Sequence, residues 1–581
     1  MPHIPPPFTP MPKSFRFALA PLALLALSAC ATGAPATGSA AWASQDGPSS
    51  IYGLYLAGQT ALVSGDSQTA TDYFTRARAA SPDAGFLKER VFTAALLSGD
   101  IPRAAQMAPG PTEGSPSSQS LGILTQAVED LANDRGKDAY AKLSAQHADL
   151  PVAPPTVLLK PWAAAAAGDW VEALTQPDSP DRLTSLIAAL DQALLFERAK
   201  RYPEAETAFK ALLSDTIGHS LIAPAFGVFL ERRGRRQEAI AVYDQLLATD
   251  PDNPGVLAAK ARAAKGGAPP QQMTIREGAA QALMAPAAAV LTDKQSDGGL
   301  IYLRLILRLD PKLDDAWLLA GDVMGSAGDA RSARAAYEQV SVKSTHYADA
   351  RSRLAWSYQA DDKPAALKAA REAVAAVPDN DAAQITLADL LRADDQFEEA
   401  AKVLDGVIGT GRHEDDWRLY YARAVALERA GRWPDAVRDL NKALTIKPDQ
   451  PEVLNYLGYS WVNRGEKVKE GMDMIRRAVD AQPDEGAYVD SLGWAYYRTG
   501  DYPNAVSTLE RAVMLDAGDA EINDHLGDAY WRVGRRDEAK FQWRAVLVFN
   551  PDAEVKARAE IKLASPLGAD AVVKAPTVAS Q

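Results

Sequence analysis

Two stretches in the last fifth of the chain gather residue types able to do chemistry. "SLGWAYYRTGDYPNAVSTLERAV" (491–513), with the residue before it, offers Asp490, Trp494, Tyr497 and Arg498. Thirty-four residues on, "HLGDAYWRVGRRDEAKFQWRAV" (525–546) and its predecessor offer Asp524, Asp528, Trp531 and Arg532. Upstream, Asn455, Tyr459 and Asn463, and before them Tyr421 and Arg429, carry the same mixture. A carboxylate beside an arginine and a phenol suits acid–base chemistry, whereas aromatic faces with amide and guanidinium neighbours suit recognition. Catalysis requires a nucleophile, a base and oxyanion donors in one unique geometry. Here the polar residues return by translation and no segment is left for a catalytic domain, so the expectation is a protein that is not an enzyme.

Other chemistry is scarce. Cys30 is the single cysteine, which rules out an intramolecular disulfide or a thiolate metal cluster. The six histidines (3, 147, 219, 346, 413 and 525) never pair at metal-ligand spacing, so neither metal nor cofactor is expected. "RHEDDW" (412–417) gathers acids that fit the start of a helix near Trp417, where they complement its dipole. A net charge of −13 argues against a nucleic-acid surface, and the basic run "ERRGRRQEA" (231–239) reads as a solvated helix end and turn.

The elements that position these residues repeat with a fixed period. In a unit starting at Gly486, Leu492, Gly493 and Tyr496 lie on one helical face, followed by Gly500, Ala505, Leu509 and Ala512. In a unit starting at Ala520, Leu526, Gly527, Tyr530, Gly534, Ala539, Trp543, Val546 and Pro551 fall on the same marks. The first glycine lets a second helix approach closely, the second glycine caps the first helix, and the alanine lets the two cross at short distance. Proline then stops the second helix. Units starting at Ile51, Ser220, Asp314 and Trp417 match well, and weaker ones begin near Gly85, Leu186, Ala280, Tyr347 and Asp381. Residues 455–483 form a good unit with one extra residue in its turn, and 115–182 fits poorly.

A thirty-four-residue helix–turn–helix period resembles the tetratricopeptide repeat. One unit buries too little apolar surface to offset the entropy of ordering it, so units must stack. The resemblance implies an all-α, right-handed superhelical α-solenoid. It also implies that Tyr421, Arg429, Asn455, Tyr459, Asn463, Asp490, Trp494, Tyr497, Arg498, Asp524, Asp528, Trp531 and Arg532 line a concave groove that binds peptides or proteins. A second reading of Trp494 and Trp531, packing against the next repeat, stays open.

The start of the chain reads as an address. Lys13 and Arg16 precede an apolar stretch from Phe17 to Leu27, too short to span a bilayer. Leu27-Ser28-Ala29-Cys30 resembles the bacterial lipobox, whose cysteine is lipidated, and Ala31 points by the same resemblance to the outer membrane rather than the inner. The expected organisation is a lipoprotein signal peptide (1–29), an Ala/Gly/Ser/Pro tether (30–50), a repeat array (51–264, degenerate at 85–182), a linker (265–274), a second array with a polar capping helix (275–565) and a disordered tail (566–581).

"GLIYLRLILRLDPKLDDAWLLAGDVM" (299–324), "VLNYLGYSWVNRG" (453–465) and "YVDSLGWAYYRTGDYPNAV" (488–506) are similar to the outer-membrane tetratricopeptide lipoproteins of Gram-negative bacteria. That resemblance implies an envelope adaptor facing the periplasm, which binds a carboxyl-terminal processing protease and substrates such as cell-wall hydrolases. The alternative is a structural subunit of an outer-membrane assembly or export machine.

Overall fold

The computed structural model describes residues 50–110, 113–145, 154–213, 219–251, 253–293, 296–549 and 551–565. The expected signal peptide, Cys30, the tether before Ser50 and the tail therefore lie outside the described residues. Among those described there are thirty helices and no strand, so the all-α expectation holds. The chain divides into two compact units, one ending at Asp379 and the other beginning at Asn380.

In the unit after Asp379, five hairpins follow one another and a last helix, Ala553–Ala564, closes the stack. The hairpin Gly486–Arg498 and Tyr502–Leu515 shows why the marks matter. A Cβ on Gly493 would meet Leu509 Cγ at 2.6 Å, and one on Gly527 in the next hairpin would meet Trp543 Nε1 at 2.4 Å, so only glycine permits these crossings. Gly500 and Gly534 both take φ +84°, the left-handed conformation that ends the first helix of each pair. Asp416, from the acidic run, caps the helix Trp417–Arg429 by accepting from the Arg418 amide. The extra residue in the 455–483 unit is absorbed where Lys467 enters the helix Val468–Ala481 at φ +37°.

The unit ending at Asp379 departs from the expected division. Helices Ile275–Thr292 and Ser296–Leu309, placed by sequence in a second array, pack against Pro154–Ala167, Arg182–Arg198, Pro116–Ala132 and Gly85–Ser98. Arg308 donates to both carboxylate oxygens of Glu129 at 2.8 and 3.1 Å, Arg276 donates to the Ala132 carbonyl at 2.9 Å, and Arg198 donates to that of Met273 at 2.7 Å. Residues 265–274 are thus a crossing that returns the chain to its own earlier helices, and the arrays do not part there. The described residues of the degenerate stretch 85–182 are still mostly helical; the marks are missing because second helices shrink to Ile101–Met107 and Trp170–Ala173, and Pro161 sits inside Pro154–Ala167.

Candidate protein-binding site

The first helices of the last four hairpins, beginning with Trp417–Arg429, carry the candidate residues. Helices Pro451–Arg464, Gly486–Arg498 and Ala520–Arg532 bring most of them together through contacts thirty-five residues apart in sequence. Arg498 donates to the Asn463 side-chain oxygen at 2.7 Å and to its carbonyl at 2.9 Å. Asp490 receives His525 Nδ1 at 2.9 Å, and Arg532 Nε donates to the Tyr497 hydroxyl at 3.2 Å. Each contact joins one first helix to the next, so the candidate positions form a continuous strip.

Aromatic rings fill the middle of the strip. Trp494 stacks on Tyr497 at 4.7 Å and 9° and on His525 at 4.0 Å and 15°. Tyr459 is buried in the same cluster, and burial pushes its hydroxyl pKa up. Burial likewise pushes the Tyr497 hydroxyl up to about 12. Two polar atoms of the strip are buried without a partner among the described residues, the indole Nε1 of Trp494 and the side-chain oxygen of Asn455. Natively, such atoms are the exception, and here they are one donor and one acceptor on neighbouring helices.

The last repeat differs from expectation. Asp524 and Asp528 are engaged by the closing helix: Lys562 Nζ lies 2.8 Å from Asp524 and 2.7 Å from Asp528, and Arg558 Nε is 3.2 Å from Asp524. Asp528 also accepts from Trp543 Nε1 at 3.2 Å. Burial pushes the Asp528 carboxyl up to about 6, with Lys562 opposing and Asp524 adding to the rise. Burial opposes the charge on Lys562, yet the two carboxylates outweigh it and raise its pKa. These two aspartates are therefore corrected from ligand contacts to an internal ion cluster. Trp531 packs at 5.5 Å from Trp543 with the Arg536 guanidinium 4.0 Å over its ring.

The candidates nearer Asn380 stand apart from this cluster. Tyr421 meets Tyr456 edge-on at 5.7 Å, and Arg429 lies 4.6 Å over Phe397 and 3.6 Å from Asp395. Sequence reasoning missed His525, Glu521, Arg558 and Lys562. The i,i+4 spacing of Glu521 to His525 and of Arg558 to Lys562 was the available signal. In the other unit, the basic run is spent on internal partners: Arg232 on Glu197 at 2.6 Å, Arg235 on Glu206 and Glu238 at 2.7 and 2.6 Å, and Arg233 over the Tyr202 ring. Among the described residues no group of three or more His, Cys, Asp or Glu is placed to hold a metal ion, and no helix is long and apolar enough to cross a membrane.

Stacked hairpins with a helix-borne polar–aromatic strip define an α-solenoid of a class built to contact other chains. Tetratricopeptide repeat family models match residues 224–263, 385–451 and 487–521, so the chain carries tetratricopeptide repeats in these segments. The TPR repeat-containing protein PA4667 of Pseudomonas aeruginosa is 30% identical over 141 residues, which are 24% of this chain and 23% of that one. The chain thus spans less than a quarter of that relative's length. Among solved structures, the Cut9–Hcn1 hetero-tetramer of the APC/C is similar over 89% of this chain and 97% of that chain, at 13% identity and a TM-score of 0.36. TTC0263, a thermophilic TPR protein of Thermus thermophilus, covers 32% of this chain and 100% of its own, at 19% identity and a TM-score of 0.29. YrrB, described as a TPR protein with an unusual peptide-binding site, covers 34% and 99%, at 19% identity and a TM-score of 0.25.

Proposed function

We propose that the protein is a non-catalytic scaffold, tied to the envelope through lipid on Cys30, whose strip at 455–498 binds other proteins or extended peptides. The observation that carries the binding reading is the unpartnered pair, Trp494 Nε1 and Asn455 Oδ1, beside a buried stack of aromatic rings. A backbone amide of an extended peptide offers one acceptor and one donor, the complement of that pair. The finer reading is an outer-membrane adaptor that brings substrates such as cell-wall hydrolases to a periplasmic processing protease. It is supported by the lipobox-like Leu27–Cys30 and by the similarity of 299–324, 453–465 and 488–506 to adaptor lipoproteins.

Affinity capture of the full chain from detergent-solubilised envelopes, with and without Trp494→Ala plus Tyr497→Ala, tests this. A protease or cell-wall enzyme recovered with the wild type and lost with the double variant is the expected result. Stoichiometric recovery of a β-barrel or pore, unaffected by the substitutions, contradicts the adaptor reading in favour of an assembly subunit. A Cys30→Ser chain that stays fully fixed to the envelope contradicts the lipid anchor.

A further inference from the structure

We infer that His525, as an imidazolium held between Asp490 and Glu521, is the positioning residue that fixes the plane of Trp494 and keeps the aromatic stack preformed. The inference deepens the proposed binding reading and takes that strip as the surface a ligand meets. His525 is buried, 4% exposed, at the junction of two repeats. Its Nδ1 lies 2.9 and 3.0 Å from the two carboxylate oxygens of Asp490, and its Nε2 lies 3.5 Å from Glu521 Oε1. Both ring nitrogens thus face carboxylates. Only the imidazolium presents an N–H to each; either neutral tautomer turns a lone pair toward one of them. The cationic ring also lies flat on the indole of Trp494, an arrangement that favours charge on the histidine.

The two carboxylates that face the ring favour this charge. Asp490 faces His525 from helix Gly486–Arg498, Glu521 and Asp528 face it from its own helix, and Arg558 reaches in from Ala553–Ala564 to bind Glu521 at 2.7 Å. From Pro451–Arg464, Tyr459 contributes a neutral hydroxyl in the field of Asp490 and Glu521. Burial disfavours the charged ring, but Asp490 and then Glu521 outweigh it and raise the histidine above its ordinary 6.5. Burial would raise Glu521 as well; His525 and Arg558 help hold it below its ordinary value, so it stays ionised opposite the ring. The clamp is therefore complete below pH 6.5 and is lost as pH rises through the folded-state value.

The test uses the fluorescence of Trp494 in the full chain, taken as the wild-type emission minus that of Trp494→Phe across pH 5 to 9.5, because a protonated imidazole stacked on an indole quenches it. The expected result is a single rise in that difference with its midpoint above 6.5, absent in His525→Gln. Asp490→Asn should move the midpoint down by about one to three pH units. A flat wild-type difference, or a rise that survives His525→Gln, overturns the inference. If His525→Gln does not fold, the Asp490→Asn midpoint decides, and an unmoved midpoint overturns it. The readout needs no ligand, so a strip that captures no protein sinks the binding reading without touching this one.

Discussion

The helices Gly486–Arg498 and Ala520–Arg532 carry the same positions of the same repeat, yet those positions meet different fates. In the first, Asp490 and Trp494 face the following repeat through His525, and the indole nitrogen keeps an unmet donor. In the second, Asp524 and Asp528 face a closing helix that supplies Lys562 and Arg558, and both carboxylates are neutralised within the fold. Sequence position within a repeat therefore sets which face a residue occupies, while position within the stack sets which partner in the chain that face meets. A terminal repeat has no successor, and its exposed face must be covered by something else.

The largest effect should come from uncovering that end. Lys562→Ala leaves two buried carboxylates facing each other, and breaking such a buried pair costs about 3–5 kcal/mol. Hydrogen exchange of the full chain should show 520–564 losing protection while 486–515 changes far less; equal loss in both would break the comparison. Next come the helix crossings. Gly527→Ala and Gly493→Ala each force a methyl into a ring or side chain, an overpacking cost of about 1–3 kcal/mol. Gly527→Ala should be the dearer, since the rigid indole of Trp543 can yield less than the Leu509 side chain, and thermal unfolding of the two variants ranks them.

A pH dependence sharpens the contrast further. Asp528 sits above its ordinary 3.8, at about 6, so between these values the folded state holds a proton that the unfolded state has released. Its contribution to stability therefore falls as pH rises through that window, and Asp528→Asn should flatten the fall in denaturation curves taken from pH 4 to 6.5. The smallest effect concerns caps. Asp519 accepts from the Ile522 amide at 2.9 Å and Asp501 from the Asn504 amide at 3.4 Å. Asp519→Ala should cost about 1 kcal/mol and Asp501→Ala less, again read by unfolding.

The repeat was legible because its marks are local and physical. Gly500 and Gly534 are needed for a backbone conformation, and Gly493 and Gly527 for a contact inside their own hairpin. The crossing at 265–274 was not legible, because nothing local says that helices Ile275–Thr292 and Ser296–Leu309 pack on partners far earlier in the chain; the Arg276–Ala132 and Arg308–Glu129 pairs are visible only in three dimensions. For the candidate site, the spacing placed Trp494, Tyr497 and Asp490 on one face. It gave no account of His525, whose role comes from a carboxylate thirty-five residues away, or of Asp524 and Asp528, whose partners lie on a helix read only as polar.

If the strip of the inner repeats meets other proteins, the contact should be visible in place. A photo-crosslinking amino acid placed singly at Tyr459, at Trp494 and, as a control on the exposed face of Arg536–Val546, at Phe541 tests it in intact envelopes. Crosslinks to a defined protein partner from positions 459 and 494, with none from 541, are the predicted result. Crosslinks from 541 alone, or equally from all three, would contradict it.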